Sequence, residues 1–231
     1  MRFLRFTAVL AVSTALLASH AAAPKVHTVV LGAVRRVPFV AADVSTEAKG
    51  DEAGTLRIRP LVVDGKTHEW LTGDTHDITE RSFVARRVLH INDALPGEKS
   101  GRWVWQPGSW ILVDRISGRV TALHLPDFDA SISDVVWYRD YAAYCGIHTT
   151  AKASGLSAEV WQIGAHKAAL SKVIAPWPQP ERVRPVCLPA VWQREPMRVT
   201  VKPNGGDPVV YNVVGTSTQL VEDGEGGDDD N

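Results

Sequence analysis

Apolar residues recur along this chain in short runs with two-residue alternation, and no stretch sustains a long helical period. Leu56-Arg57-Ile58-Arg59 alternates cleanly, and Leu61-Val62-Val63 continues it past Pro60. Asp64-Gly65 is a hairpin turn signal, and His68-Glu69-Trp70-Leu71 returns from it. The same grammar of β-branched and aromatic runs bounded by Gly, Asp or Ser predicts further strands. These lie at Val26–Val40 (one strand, or two broken near Gly32), Ser82–Ile91, Arg102–Gln106 and Trp110–Asp114. They continue at Arg119–Leu123, Val135–Tyr138, Tyr141–Cys145, Glu159–Ile163 and Leu170–Ile174. A last hairpin joins Met197–Lys202 to Val209–Val214 through Asn204-Gly205-Gly206. Residues 41–54 read as a loop or one to two helical turns; polar loops are expected at 73–80 and 92–101, and a turn at Pro107-Gly108. The expected fold is all-β: an antiparallel meander of short strands in an incomplete propeller-like or sandwich-like packing, with little helix.

The two ends read differently. Arg2 and Arg5 precede an apolar run from Phe6 to Leu17, followed by small residues. That run is too short to span a bilayer, and residues 1–21 read as a signal peptide cut after Ala21. Residues 22–216 are expected to form a single β-rich domain, and 217–231 a disordered acidic tail. Six acids and no Lys or Arg lie between Glu222 and Asp230, so nothing there can be buried and like charges repel. The expected location is secreted or periplasmic, with no transmembrane segment in the mature form.

Of the 231 residues, 45% are hydrophobic and 22% charged, and the formal net charge is −1. This is ordinary globular composition. Nucleic-acid binding would need a concentrated basic face, and Arg35-Arg36 and Arg86-Arg87 are only pairs. Neighbours in a strand point to opposite faces, so neither pair forms a patch. Two cysteines, Cys145 and Cys187, are expected to form a disulfide in an exported chain. The bridge would hold the proline-flanked segment Pro185–Pro189, read as extended and without ladder partners, against the meander.

The central stretch carries a resemblance. Val113-Asp114-Arg115-Ile116-Ser117-Gly118-Arg119-Val120-Thr121-Ala122-Leu123 resembles the outer hairpin of a β-propeller blade. Val136–Tyr144, with its turn at Arg139-Asp140, is similar to the inner hairpin of a TolB-type or WD-repeat-type blade. The resemblance covers residues 110–174 and implies a blade-like sheet. Propellers typically close with four or more blades, which about 200 mature residues would not supply. The whole chain resembles a family of exported bacterial proteins without assigned activity, which implies export and no particular chemistry.

Three groups of residues are candidates for chemistry. Trp103 and Trp105 share a face if their segment is a strand, and Trp110 follows; indoles could stack on sugar rings or simply cover the sheet. His68, Glu69, Asp74, His76, Asp77 and Glu80 form the densest polar cluster. They could bind a divalent metal, with His68, Asp74, His76 and Asp77 as ligands, or be a solvated loop. Asp127, Asp129 and Asp134 could offer oxygens to calcium or bond backbone N–H groups in a turn. No Gly-x-Ser-x-Gly or H-E-x-x-H motif is present, and no cofactor is implied. Two functions follow. One is an exported non-catalytic binding or scaffolding protein of the bacterial envelope or exterior, with a protein or glycan partner. The other is a hydrolase of polysaccharide or envelope material using the 68–80 region, or a carbohydrate-binding module using the Trp residues.

Overall fold

Fifteen strands and no helix make up the regular structure of the described residues. The structure is a computed structural model, and it describes residues 26–39, 54–149, 154–176 and 186–221. The expected leader (1–21) and residues 222–231 of the acidic tail lie outside the described residues. No helix among the described residues is long and apolar enough to cross a membrane.

The first sheet holds β1 (Val29–Leu31), β2 (Arg35–Phe39), β3 (Gly54–Val63), β4 (Lys66–Asp77), β5 (Ser82–Asn92), β6 (Trp103–Asp114) and β7 (Val120–Ala122). Their order is β1-β3-β2-β6-β5-β4, with β7 on β6. An additional β3–β4 pairing joins β2, β3, β4, β5 and β6 into a ring. The β2–β6 pair is parallel, at Phe39↔Trp105, and the others are antiparallel. Val37, Ile58 and Val88 are buried together, with Leu56, Trp70 and Trp105 packed on them. Each of the five strands contributes to this cluster, so it plugs the ring. A second cluster, Leu61, Leu71, Phe83, Ala85, Ile111 and Val113, lies beyond it.

Two elements here depart from expectation. Residues 73–77, expected in a loop, belong to β4. They pair with β5 through Thr75↔Ala85, His76↔Val84 and Asp77↔Phe83, which satisfies their backbone despite polar side chains. Pro107-Gly108 is not a turn but lies inside β6, where the register shifts between Arg86 and Val88. An extra residue opposite Arg87 makes a bulge, which tolerates the missing proline N–H and bends the strand. Gly108 fits because a Cβ there would sit 3.3 Å from Leu89 Cγ and 3.4 Å from the Arg87 carbonyl.

The second sheet is a four-stranded meander of β8 (Val136–Tyr138), β9 (Tyr141–Thr149), β10 (Ser154–Gln162) and β11 (Lys167–Pro176). The third is another, β12 (Cys187–Gln193), β13 (Arg198–Pro203), β14 (Val209–Val214) and β15 (Ser217–Leu220). The stretch 110–174 is therefore not one sheet. The β6–β7 hairpin belongs to the first sheet because β6 pairs with β5 over nearly its whole length, and the second sheet starts at β8. The expected tail boundary also moves: 217–220 pairs with β14 from Val214↔Ser217 to Tyr211↔Leu220.

The second sheet lies between the other two. In β9, Ala142 and Tyr144 pack toward Trp110 and Leu112 of the first sheet. Tyr141, Ala143 and Cys145 pack with Val199, Val201 and Tyr211 of the third. The disulfide Cys145–Cys187 joins β9 to β12 across 6.2 Å between Cα atoms. Cys187 is not in a ladder-free segment: it opens β12 and pairs with Pro203.

Candidate functional site

The β5–β6 register sets His90 opposite Trp105 and Asn92 opposite Trp103. Alternation puts Trp103 and Trp105 on one face, and the shared face brings the imidazole alongside both. His90 stacks on Trp105 with ring centroids 4.4 Å apart and an interplanar angle of 17°. It lies 5.3 Å from Trp103, tilted by 39°. Trp70 of β4 meets Trp105 edge-on at 5.7 Å. The Arg35 guanidinium of β2 lies 4.2 Å over Trp70 and 5.6 Å from the Trp105 ring. Aromatic pairs of this kind contribute about 0.5–1.5 kcal/mol beyond burial, and exposed cation–π contacts about 0.5–1 kcal/mol.

The result is a column: Arg35, Trp70, Trp105, His90, Trp103. Its middle members, Trp70 and Trp105, pack on the ring plug of Val37, Ile58 and Val88, while Arg35 at one end is exposed. The column's other end is Trp103, which is 61% exposed. Trp105 is flanked by His90, Trp70 and Arg35, so it supports the column. The open indole is that of Trp103. Arg35, Trp70 and His90 were not legible as members. A Trp two residues from another is a visible signal, but the strands lying beside them are not.

Trp110, grouped with these two by sequence, goes elsewhere. The bulge separates its half of β6 from theirs, and it packs edge-on against Trp137 at 5.1 Å between the first and second sheets. Its indole Nε1 is buried with no hydrogen-bond partner among the described residues.

The 68–80 cluster does not converge. His68 and His76 lie on one strand eight residues apart, roughly 26 Å at about 3.3 Å per residue. Asp74 is 86% exposed on its side chain, 3.6 Å from Arg57 Nη1. His76 Nε2 is 2.7 Å from the Arg139 carbonyl, and its ring stacks 6.0 Å from Trp137. Asp77 accepts from Arg115 at 2.6 Å, and Glu69 from Arg87 at 2.7 Å. Among the described residues no three His, Cys, Asp or Glu side chains are placed to hold a metal ion. The three aspartates read as a calcium candidate also separate. Asp129 Oδ1 accepts from the Ser131 backbone N–H at 2.8 Å and from its hydroxyl at 2.7 Å. Asp127 lies 3.3 Å from His148, and Asp134 lines a cleft with Arg86.

One acid missed at the sequence level is Glu159, 3% exposed in β10. Burial raises its pKa, opposed in part by the Ser171 hydroxyl. Ser171 Oγ donates to it at 3.0 Å. Tyr144, opposite it in the register, is raised by burial first and by Glu159 second. Both groups are shut away from solvent, so this pair has no path to a substrate.

Two clefts open at the rims of the contact between the first and second sheets. The larger, about 410 Å³, takes Arg81, Asp114 and Arg119 from the first sheet and its loops, and His166 from the β10–β11 turn. The other, about 340 Å³, lies around Arg57, Arg86, Trp110 and Asp134. Burial lowers the Arg86 pKa, against the opposing effect of Asp134. Comparison with known protein families, with curated proteins and with solved structures finds no match to this chain.

Proposed function

We propose that this protein is an exported, non-catalytic β-rich binding domain that acts outside the cytoplasm, and that it holds a glycan through Trp103. One observation carries this reading: an indole with most of its surface open stands at the end of a braced column of rings. An indole joins a large apolar face to a polar N–H edge, so an exposed one suits a partner that is apolar on one side and hydrated on the other. Bracing by His90 and Trp105 limits the freedom that Trp103 would lose on binding, which favours affinity. The flat apolar face of a sugar ring suits an indole whose edge remains hydrated. The disulfide fits an oxidising compartment. The hydrolase alternative rests on the 68–80 acids and imidazoles, which point to separate partners.

The test is tryptophan fluorescence of the mature protein titrated with oligomers of several glycans. A saturable shift is expected for at least one, lost in Trp103→Ala with melting temperature nearly unchanged. Trp105→Ala should lower the melting temperature, since that ring packs on the ring plug. A flat response of the wild type to every oligomer would sink the glycan assignment.

A further inference from the structure

The larger rim cleft is unrelated to the aromatic column. It is built on the far half of the β5–β6 hairpin, where Ser82 pairs with Asp114 and Leu112 pairs with Thr121 of β7. Asp114 N–H donates to the Arg119 carbonyl at 2.9 Å, so Arg119 stands beside Asp114. All these positions border one cavity, which His166 closes from the second sheet.

Charge in the cleft is unbalanced in a specific way. Asp114 is the one acid among the described residues that line it, and its acceptor capacity is engaged. Oδ1 takes the Ile116 and Ser117 backbone N–H groups at 2.8 and 2.9 Å, and Oδ2 takes Arg81 Nε at 2.7 Å. The two terminal nitrogens of Arg81 have no partner among the described residues. The side chains of Arg119 and His166 have no hydrogen-bond or ion-pair partner among the described residues. Thr121 also lines the wall. Donor-bearing residues thus line one space from three directions: the β4–β5 loop, the start of β7 and the β10–β11 turn.

We propose that this cleft is an oxyanion site taking a phosphate or sulfate group, free or as a monoester. A guanidinium presents a planar fork of donors that suits such oxygens, and charge-assisted hydrogen bonds of this kind are among the strong ones. Three donor directions match a tetrahedral group with three or four terminal oxygens better than a two-oxygen carboxylate. Asp114 is the positioning residue that holds Arg81 in place.

The test is calorimetric titration of the mature protein at low ionic strength with inorganic phosphate, inorganic sulfate, phenyl phosphate and acetate. Amide NMR would locate the site. Saturable binding of at least one tetrahedral anion is expected, with shifts at Thr121 and His166 and weaker binding of acetate. Arg119→Gln should weaken binding about tenfold, the effect of one lost charge-assisted contact. Arg36→Gln, on β2, should leave it unchanged, and melting curves should confirm that both variants fold. Tighter binding of phenyl phosphate than of phosphate would assign the site to an esterified group, and equal binding to the free ion. No saturable binding, equal losses in the two Arg variants, or acetate binding as tightly as phosphate would overturn the proposal. None of these readouts depends on Trp103.

Discussion

Asp114 shows how much one side chain does at a strand end. Its carboxyl is held down to about 2, first by the Ser117 backbone N–H and then by Ile116 and Arg81 against a desolvation effect of opposite sign. A depressed folded value means the stabilisation is present above the ordinary 3.8 and is lost as pH falls toward about 2. Asp114→Asn should therefore melt below the wild type at neutral pH, and the gap should close as melting is repeated toward about pH 2. Glu159 has the opposite sign. Its folded value is raised, chiefly by burial, so its favourable contribution is complete below the unfolded carboxyl value. That contribution disappears as pH rises through the folded value. Glu159→Gln mimics the neutral acid and keeps an acceptor for Ser171. It should match the wild type near about pH 4 and melt higher near about pH 8; a variant that melts lower at both would refute the burial argument. Neither residue's role was legible, because an Asp before Ser-Gly announces a turn but not a guanidinium from another loop. An acid in an apolar run announces only that one strand face is polar.

At the scale of elements, alternation located most strands, and the turn residues located most hairpins. Asp64 and Gly65 have φ of 52° and 77°, and Arg139 has 51°, left-handed values that suit tight turns between strands. The misplacements came from continuity. Residues 73–77 lack an apolar pattern and join β4 because β5 offers partners. Pro107-Gly108 looks like a chain reversal and is instead a bulge, since β5 runs past it on both sides. β9 shows the converse, a strand apolar on both faces because a sheet covers each. Ala142 is fully buried against the first sheet. Ala142→Leu should overfill that contact and cost about 1–3 kcal/mol in chemical denaturation. A neutral result would mean the first and second sheets are loosely packed.

Across the whole molecule, three sheets follow one another in chain order with the second between its neighbours. The five-stranded ring of the first sheet and the two meanders after it agree with an incomplete propeller-like or sandwich-like packing. The disulfide spans a sequence separation of 42 and links the second sheet to the third. Replacing both cysteines with alanine should remove about 4 kcal/mol of stability on the loop-entropy account. Urea melts of oxidised wild type and the double variant measure this directly. If the two are equally stable, the third sheet is held by its apolar contacts alone, through Val199, Val201 and Tyr211.

By itself the sequence determined that the chain is β, where most strands begin and turn, and that two cysteines meet. Those properties depend on neighbours within a few residues, or on a pair with no other partner to choose. Only the tertiary structure decided the rest. It set Arg35, Trp70 and His90 beside Trp103 and Trp105, sent Trp110 to another interface, and gathered Arg81, Arg119 and His166 around one cleft. Alternation tells which way a side chain points from its own strand. It does not tell which strand lies alongside, because pairing is set by register, bulges and the packing of whole sheets.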